Sequence, residues 1–309
     1  MIIKKTENIR QVVYTQERKW KIIATFSLVL LFLLIVTFSI FQYISFDEIK
    51  NFAVLHIDKK FLFMFLVGFF AQMVDGALGM GYGVVSASLL LSGGLNPAVI
   101  SGSIHTAEMF SSGASGFSHY RFGNVNKKLF KTLLIPGVLG AIVGAVLLGT
   151  LAENYSQWVR PILSIYTLFL GLKILSNAFK KDMKPTKVKR AGWLAGAGGF
   201  LDSFGGGGWG PLVTSTLISK GRSPKYVIGS VSLTEFFVTM ASALTFFVIL
   251  GISHVSTIIG LIAGGILAAP LAAKLAGRLP VKKMFIAVAI IVLITSLRNI
   301  WVSADKLFF

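Results

Sequence analysis

Apolar residues run in long blocks along this chain, and polar residues are gathered in short stretches between them. A helix needs about 20 apolar residues to cross the hydrocarbon of a bilayer. Blocks of that length at Ile22–Ile44, Pro97–Tyr120, Leu129–Leu151, Trp158–Phe179, Pro224–Leu250, Val255–Ala276 and Met284–Val302 each predict a membrane-spanning helix. The first follows a long basic start and exceeds the 7–15 residues of a secretory h-region, so it is expected to stay as a span. Two further blocks, Phe61–Ser92 and Ala191–Ser219, are too long for one helix and are broken by glycines. The breaks read DGALGMGYG from Asp75 to Gly83 and DSFGGGGWG from Asp202 to Gly210.

These breaks belong to a duplication. A shift of 127 residues lays Asp75 on Asp202, Gly79 on Gly206, Gly81 on Gly208, Tyr82 on Trp209 and Gly83 on Gly210, without a gap. The register continues through Pro97 and Pro224, Gly102-Ser103 and Gly229-Ser230, and Glu108 and Glu235, so that 13 of 36 positions from Asp75 to Phe110 are identical. Apolar segments share Leu and Val by composition alone, but not Asp, Glu and Pro in register. Internal duplication at this length is a recurring build among secondary transporters.

Composition supports a lipid-facing chain. Apolar residues make up 54% and charged residues 14% of the 309 residues, against roughly 25% charged in a soluble domain, and the mean hydropathy is +0.77. The net charge of +18 comes from Lys and Arg clusters between apolar blocks, with no aromatic interleaving, which argues against nucleic acid as a partner. Without Cys there are no disulfides, thiolate metal sites or iron–sulfur clusters, and no pattern here asks for a cofactor or a resident metal.

Charge placement orients the halves. If each broken block dips in and returns as a hairpin, with the N-terminus inside, segments 1–21, 121–131, 173–190, 220–225 and 274–283 fall inside and carry 24 of the 30 basic residues. A single crossing per broken block would put Arg121, Lys127, Lys128 and Lys131 outside. The expected fold is therefore an all-α integral membrane protein of two inverted-topology repeats. Each holds a glycine-broken hairpin plus three spans, and one extra span precedes them. Residues 1–60 would form the cytoplasmic N-terminus, first span and external loop, 61–180 the first repeat, 181–190 a basic cytoplasmic linker, and 191–309 the second repeat. The setting is the cell membrane, with lipid as a partner. A homo-oligomer is compatible with such a bundle.

Four acids lie deep in apolar sequence: Asp75, Glu108, Asp202 and Glu235. A carboxylate at the bilayer centre costs about 2.5–3.5 kcal/mol on insertion scales, so it faces a partner, a cavity or a pathway. Asp75 and Asp202 suit a plainer task too, capping the helix that restarts after each break. Glu108 and Glu235 sit inside regular helices and fit proton coupling or ligand contact. His105, Glu108, Ser112 and Ser115 share one helical face, and Ser232, Glu235, Thr239 and Ser242 repeat it. His105 has Ser232 as its counterpart, and the small hydroxyls also suit tight helix packing. The glycines likewise have two readings. Gly140 and Gly144 suit close helix contact, whereas Gly79, Gly81, Gly83 and Gly206, Gly208, Gly210 suit a true break that turns backbone N–H groups toward an anion.

The duplicated break, the Gly94-to-Pro97 and Gly221-to-Pro224 spacing, and the Gly-Ser-x4-Glu helix resemble the sulfite exporter TauE/SafE family of membrane transporters. The stretch GGFLDSFGGGGWGPLVTSTLISKGRSPKYVIGSVSLTEFFVT is the nearest part, and the resemblance covers about Phe61 to Trp301. It implies export or import of small sulfur-containing anions such as sulfite and organosulfonates, driven by a proton or ion gradient. Leu78 and Met80 stand where the second half has glycines, which makes the half-sites unequal. The expected function is secondary transport of a small anion. The glycines of both breaks, with Ser103 and Ser230, would bind substrate, and Glu108, Glu235, Asp75, Asp202 and His105 would handle protons. A cation or metal-ion transporter, an intramembrane enzyme and a passive channel are the alternatives. The enzyme is disfavoured because no Ser/His or HExxH arrangement occurs in a suitable place.

Overall fold

The computed structural model describes residues 45, 47, 48, 50, 51, 57–78, 80–179, 190–220, 222–251, 255–275 and 281–308. The expected span Ile22–Ile44, Gly79, and the linker apart from Arg190 lie outside the described residues. The chain divides into two compact units, Met1–Asp58 and Lys59–Phe309, and the second carries every element discussed below.

Among its described residues that unit consists of helices joined by turns, without a strand. Its elements are α1 (Lys59–Leu78), α2 (Tyr82–Ser92), α3 (Pro97–Arg121), α4 (Lys127–Ala178) and α5 (Ala191–Gly205). A π-helical turn (Trp209–Thr214) then runs into α6 (Ser215–Ser219), followed by α7 (Pro224–Leu250), α8 (Val255–Leu275) and α9 (Val281–Phe308). Three of these helices, α4, α7 and α9, are long and apolar enough to cross a membrane.

Helix α4 departs from the expected pair of spans. The hydrogen-bond ladder continues through the polar residues between Leu151 and Trp158, because that stretch holds neither Gly nor Pro. Only Tyr155 leaves helical geometry, at φ −127° and ψ 29°. Fifty-two residues would extend about 78 Å at 1.5 Å per residue, far more than one bilayer, and the bend at Tyr155 divides them into two stretches that each exceed the roughly 20 residues a crossing needs. Pro161 lies just beyond it and cannot donate to the Gln157 carbonyl, which weakens the ladder there.

Contacts sort the helix ends onto two faces of the bundle. On one face the Asn96 side chain donates to the Ala152 carbonyl at 3.2 Å, and Arg160 and Arg298 donate to the carbonyls of Leu95 and Ser92 at 2.7 and 3.3 Å. On the other the Asn126 N–H donates to the Ser230 hydroxyl at 2.8 Å, and the Lys282 ammonium lies 4.7 Å from the centre of the Phe179 ring. Both broken blocks turn back on themselves. Phe63, early in α1, lies 3.3 Å from where a side chain at Gly93 would begin. Ala191 and Arg222, at the two ends of the second block, line one cavity. Each block therefore ends on the face where it started.

Small residues set the helix spacing. Side chains begun at Gly140 and Gly144 of α4 would lie 2.1 Å and 2.3 Å from the carbonyl oxygens of Gly196 and Phe200 on α5. Gly264 of α8 stands in the same relation to Phe65 of α1, at 2.0 Å. Helices α3 and α7 run antiparallel, with Gly102 against Phe246 and Gly116 against Leu233. Without water to compete for, helix association in lipid relies on such backbone-close packing. The outer surface is apolar, and exposed indoles mark both ends of the bundle, Trp301 on one face and Trp193 on the other, as in the aromatic belts of membrane proteins.

Gly264→Ala is expected to lower the melting temperature in detergent, for a loss of about 1–3 kcal/mol from overpacking. Gly196→Ala, whose new methyl would meet nothing nearer than 3.5 Å, should melt like the parent. Equal melting of all three proteins would refute this account of the spacing.

Candidate functional site: crossed helix breaks and a buried His–Asp–Glu group

The two breaks meet at the middle of the bundle. A side chain at Gly83 would lie 2.7 Å from the Gly207 Cα, and one at Gly207 would lie 2.4 Å from the Val84 nitrogen. Gly210 abuts the Met80 Cβ in the same way, at 2.6 Å. No residue with a Cβ fits at Gly83, Gly207 or Gly210 without parting the breaks. Two glycines take left-handed backbone angles, Gly81 at φ 125° and Gly206 at φ 72°, which L side chains adopt only with strain. Broken helices expose backbone groups that lipid cannot satisfy. The aspartates meet part of that demand. The Asp202 carboxylate accepts the Trp209 N–H at 2.8 Å, and the Asp75 carboxylate accepts the Tyr82 N–H. Each holds the first N–H after its break, from seven residues upstream.

Both aspartates thus cap the restarted helices. Asp202 does more: its second oxygen lies 3.1 Å from Nε2 of His105 on α3. Nδ1 of that ring lies 2.7 Å from the Ser101 carbonyl. A carbonyl only accepts, so Nδ1 carries the hydrogen. One further proton must then lie between Nε2 and the Asp202 oxygen, held by the imidazole or by the carboxyl. Glu108 completes the group. A donor atom from each of His105, Glu108 and Asp202 lies within 4.8 Å of the others, and all three residues are buried. One Glu108 oxygen is buried without a hydrogen-bond partner. Glu235 and Asp75, both half-buried, lie close enough to Glu108 to act on its charge. These three donors form a set that could hold a cation.

The remaining expected residues are placed unevenly. Ser112 meets Thr239, its counterpart in the second half, at 3.4 Å, and Ser242 bonds Ser203 beside Asp202. Ser115 and Ser232 are half-buried. Ser230 is committed elsewhere, since its hydroxyl accepts from Asn126 and donates to the Tyr226 carbonyl at 2.7 Å. Ser103 faces a small pocket with Phe246, Phe247 and Gly251. Two residues at the centre were not singled out from sequence. Ser101 donates to the Ser203 carbonyl at 2.5 Å and extends the His105 stripe back by one turn, a readable signal. Tyr166 donates to the Gly207 carbonyl at 2.9 Å, and its counterpart 127 residues on is Leu293, so the repeat carried no trace of it.

The sequence pattern of the family described as "Sulfite exporter TauE/SafE" matches residues 64–299, a span that runs from within α1 to within α9 and takes in both breaks. The chain belongs to the sulfite exporter TauE/SafE family. Among its relatives is "Probable membrane transporter protein YtnM" of Bacillus subtilis (strain 168), 38% identical over 258 residues, which are 79% of this chain and 85% of that protein. Another is "Probable membrane transporter protein ORF9" of Sinorhizobium sp, 27% identical over 190 residues, 61% of this chain and 67% of the relative. No solved structure matches the chain. This TauE/SafE protein is a membrane transporter, and its relatives' names describe transporters rather than enzymes.

Asp202→Asn keeps an oxygen for the Trp209 N–H and can donate to Nε2 of a neutral His105, so it should fold and melt like the parent. Asp202→Ala leaves a buried N–H unmet, which costs about 1–3 kcal/mol. Melting curves that do not separate the two variants would refute the capping role.

Proposed function

We propose that this protein is a secondary transporter of a small anion, a sulfur oxyanion or organosulfonate, coupled to proton movement. The observation that carries the reading is the composition of the centre. It gathers Asp75, Glu108, Asp202, Glu235 and His105 at the crossing of two helix breaks, with no Lys or Arg among them. So many acidic groups in a low-dielectric site share protons or take up cations. An anion can approach backbone N–H groups there only once neighbouring carboxylates are neutral, which ties substrate to protons. Tyr82 and Trp209 already give their N–H groups to Asp75 and Asp202. The substrate would therefore use the next N–H groups, around Gly83 and Gly210, after the breaks part. Glu108 and Glu235 would take up and release protons, and His105 with Asp202 would hold another. Ser103 and Ser230 keep at most a second place in this reading, given their other surroundings.

The two halves are read as inverted repeats. Equivalent elements such as α3 and α7 begin 127 residues apart, at Pro97 and Pro224, and run in opposite directions, which suits alternating access by rocking one half on the other. The protein is placed in the cell membrane with its N-terminus in the cytoplasm. Supporting this, Lys128, Arg190 and Arg222, from three separate basic segments, line one cavity on a single face.

A cation transporter is the second reading, favoured by the His105, Glu108 and Asp202 donors within 4.8 Å. Proteoliposomes loaded with sulfite, sulfoacetate or sulfate under a pH gradient separate the two. Gradient-driven flux of one sulfur anion is expected, reduced about tenfold or more in Glu108→Gln, the effect of roughly 1.4 kcal/mol on the limiting step. Unchanged pH dependence in a Glu108→Gln, Glu235→Gln double variant would overturn the coupling. Uptake of a divalent cation, with no sulfur anion moved by folded protein, would overturn the anion reading.

A further inference from the structure

A cavity of about 450 Å³ lies away from the centre, among Lys128, Thr132, Arg190, Trp193 and Arg222. Its cations come from three different places: the first turn of α4, the residue before α5, and the turn after α6. Among the described residues, no acidic one lines it. Three basic residues on the wall of one cavity, with no carboxylate among the described lining residues, favour an anion over a cation there. The starts of α4 and α5 add backbone N–H groups to the same wall. Asn126 already caps α4 through Leu129 at 3.0 Å, whereas α5 has no side-chain cap.

The position of the cavity says what kind of anion belongs there. Trp193 lines it and is 81% exposed, and an indole so exposed at the end of a bundle sits at headgroup depth. Arg and Lys between membrane helices on the basic face recognise the phosphates of anionic lipids, and the guanidinium forks of Arg190 and Arg222 match phosphate oxygens. We propose that this cavity holds the phosphate of an anionic phospholipid headgroup, with Lys128, Arg190 and Arg222 on the phosphate and Trp193 along the glycerol and upper chain. It is independent of the transport site, and its occupancy would tie the N-terminal ends of α4 and α5 to the membrane surface.

The test uses the full chain in dodecyl maltoside. Retained lipid is counted by native mass spectrometry, and melting is followed during titration with phosphatidylglycerol, phosphatidylcholine or inorganic phosphate. Phosphatidylglycerol alone is expected to be retained and to raise the melting temperature. Arg190→Gln, Arg222→Gln and the exposed Lys128→Gln should each weaken retention about fivefold, the effect of one basic charge near a lipid surface. Lys131→Gln removes the same charge from the same segment but lies outside the lining, and should leave retention unchanged. Equal retention of phosphatidylcholine, or equal loss in Lys131→Gln, would overturn the site. Stabilisation by millimolar inorganic phosphate as strong as by the lipid would overturn the lipid assignment and give the cavity to a soluble phosphate.

Discussion

Interrupting a helix inside a membrane strands backbone hydrogen-bond groups where no water can reach them, and the centre of this protein is built around that constraint. The two breaks lie against each other, and an aspartate from the preceding turn reaches across each one to the first stranded N–H. That solution brings carboxylates to the middle of the bundle. Once they are there, His105, Glu108 and Glu235 have a charged environment to respond to, and the helices that carry them must turn their polar faces inward.

The aspartates also show why a capping role and a functional role need not compete. Asp202 uses one oxygen for the Trp209 N–H and the other for His105. The first bond stabilises the fold, and it holds the carboxylate in register for the second. The second half lacks the equivalent imidazole, since Ser232 is the counterpart of His105 in the repeat. The half-sites are therefore unequal in the groups that can carry a proton, beyond the difference that Leu78 and Met80 make.

Much of the fold was legible in the apolar pattern. Helix α7 has the expected limits, Pro224 to Leu250, and both glycine-broken blocks turn back. Proline explains that success for α7, because its missing N–H marks a helix start from sequence alone. The junction in α4 was not legible. Its residues are polar enough to suggest a loop, yet nothing in them stops a helix, and a bend of one residue leaves no compositional mark. At the site, residue types in register disclosed the four acids and their stripe. The pairing of His105 with Asp202 was not disclosed, because it joins opposite halves across 97 residues. Ser230 shows the converse: identity with Ser103 placed it in the repeat, but its neighbours gave it to the turn at Asn126.

The crossing of Gly83 and Gly207 brings main chain against main chain, with no side chains interleaved. Interlocked side chains would have to change rotamer before such a seam could part. At these two positions there are no teeth to disengage. Parting the two surfaces would break the Tyr166 bond to the Gly207 carbonyl and bare polar main chain on both sides at the same moment. In the transport cycle proposed above, the cost of leaving those groups unsolvated would hold the seam shut, and whatever can solvate them would act as its key.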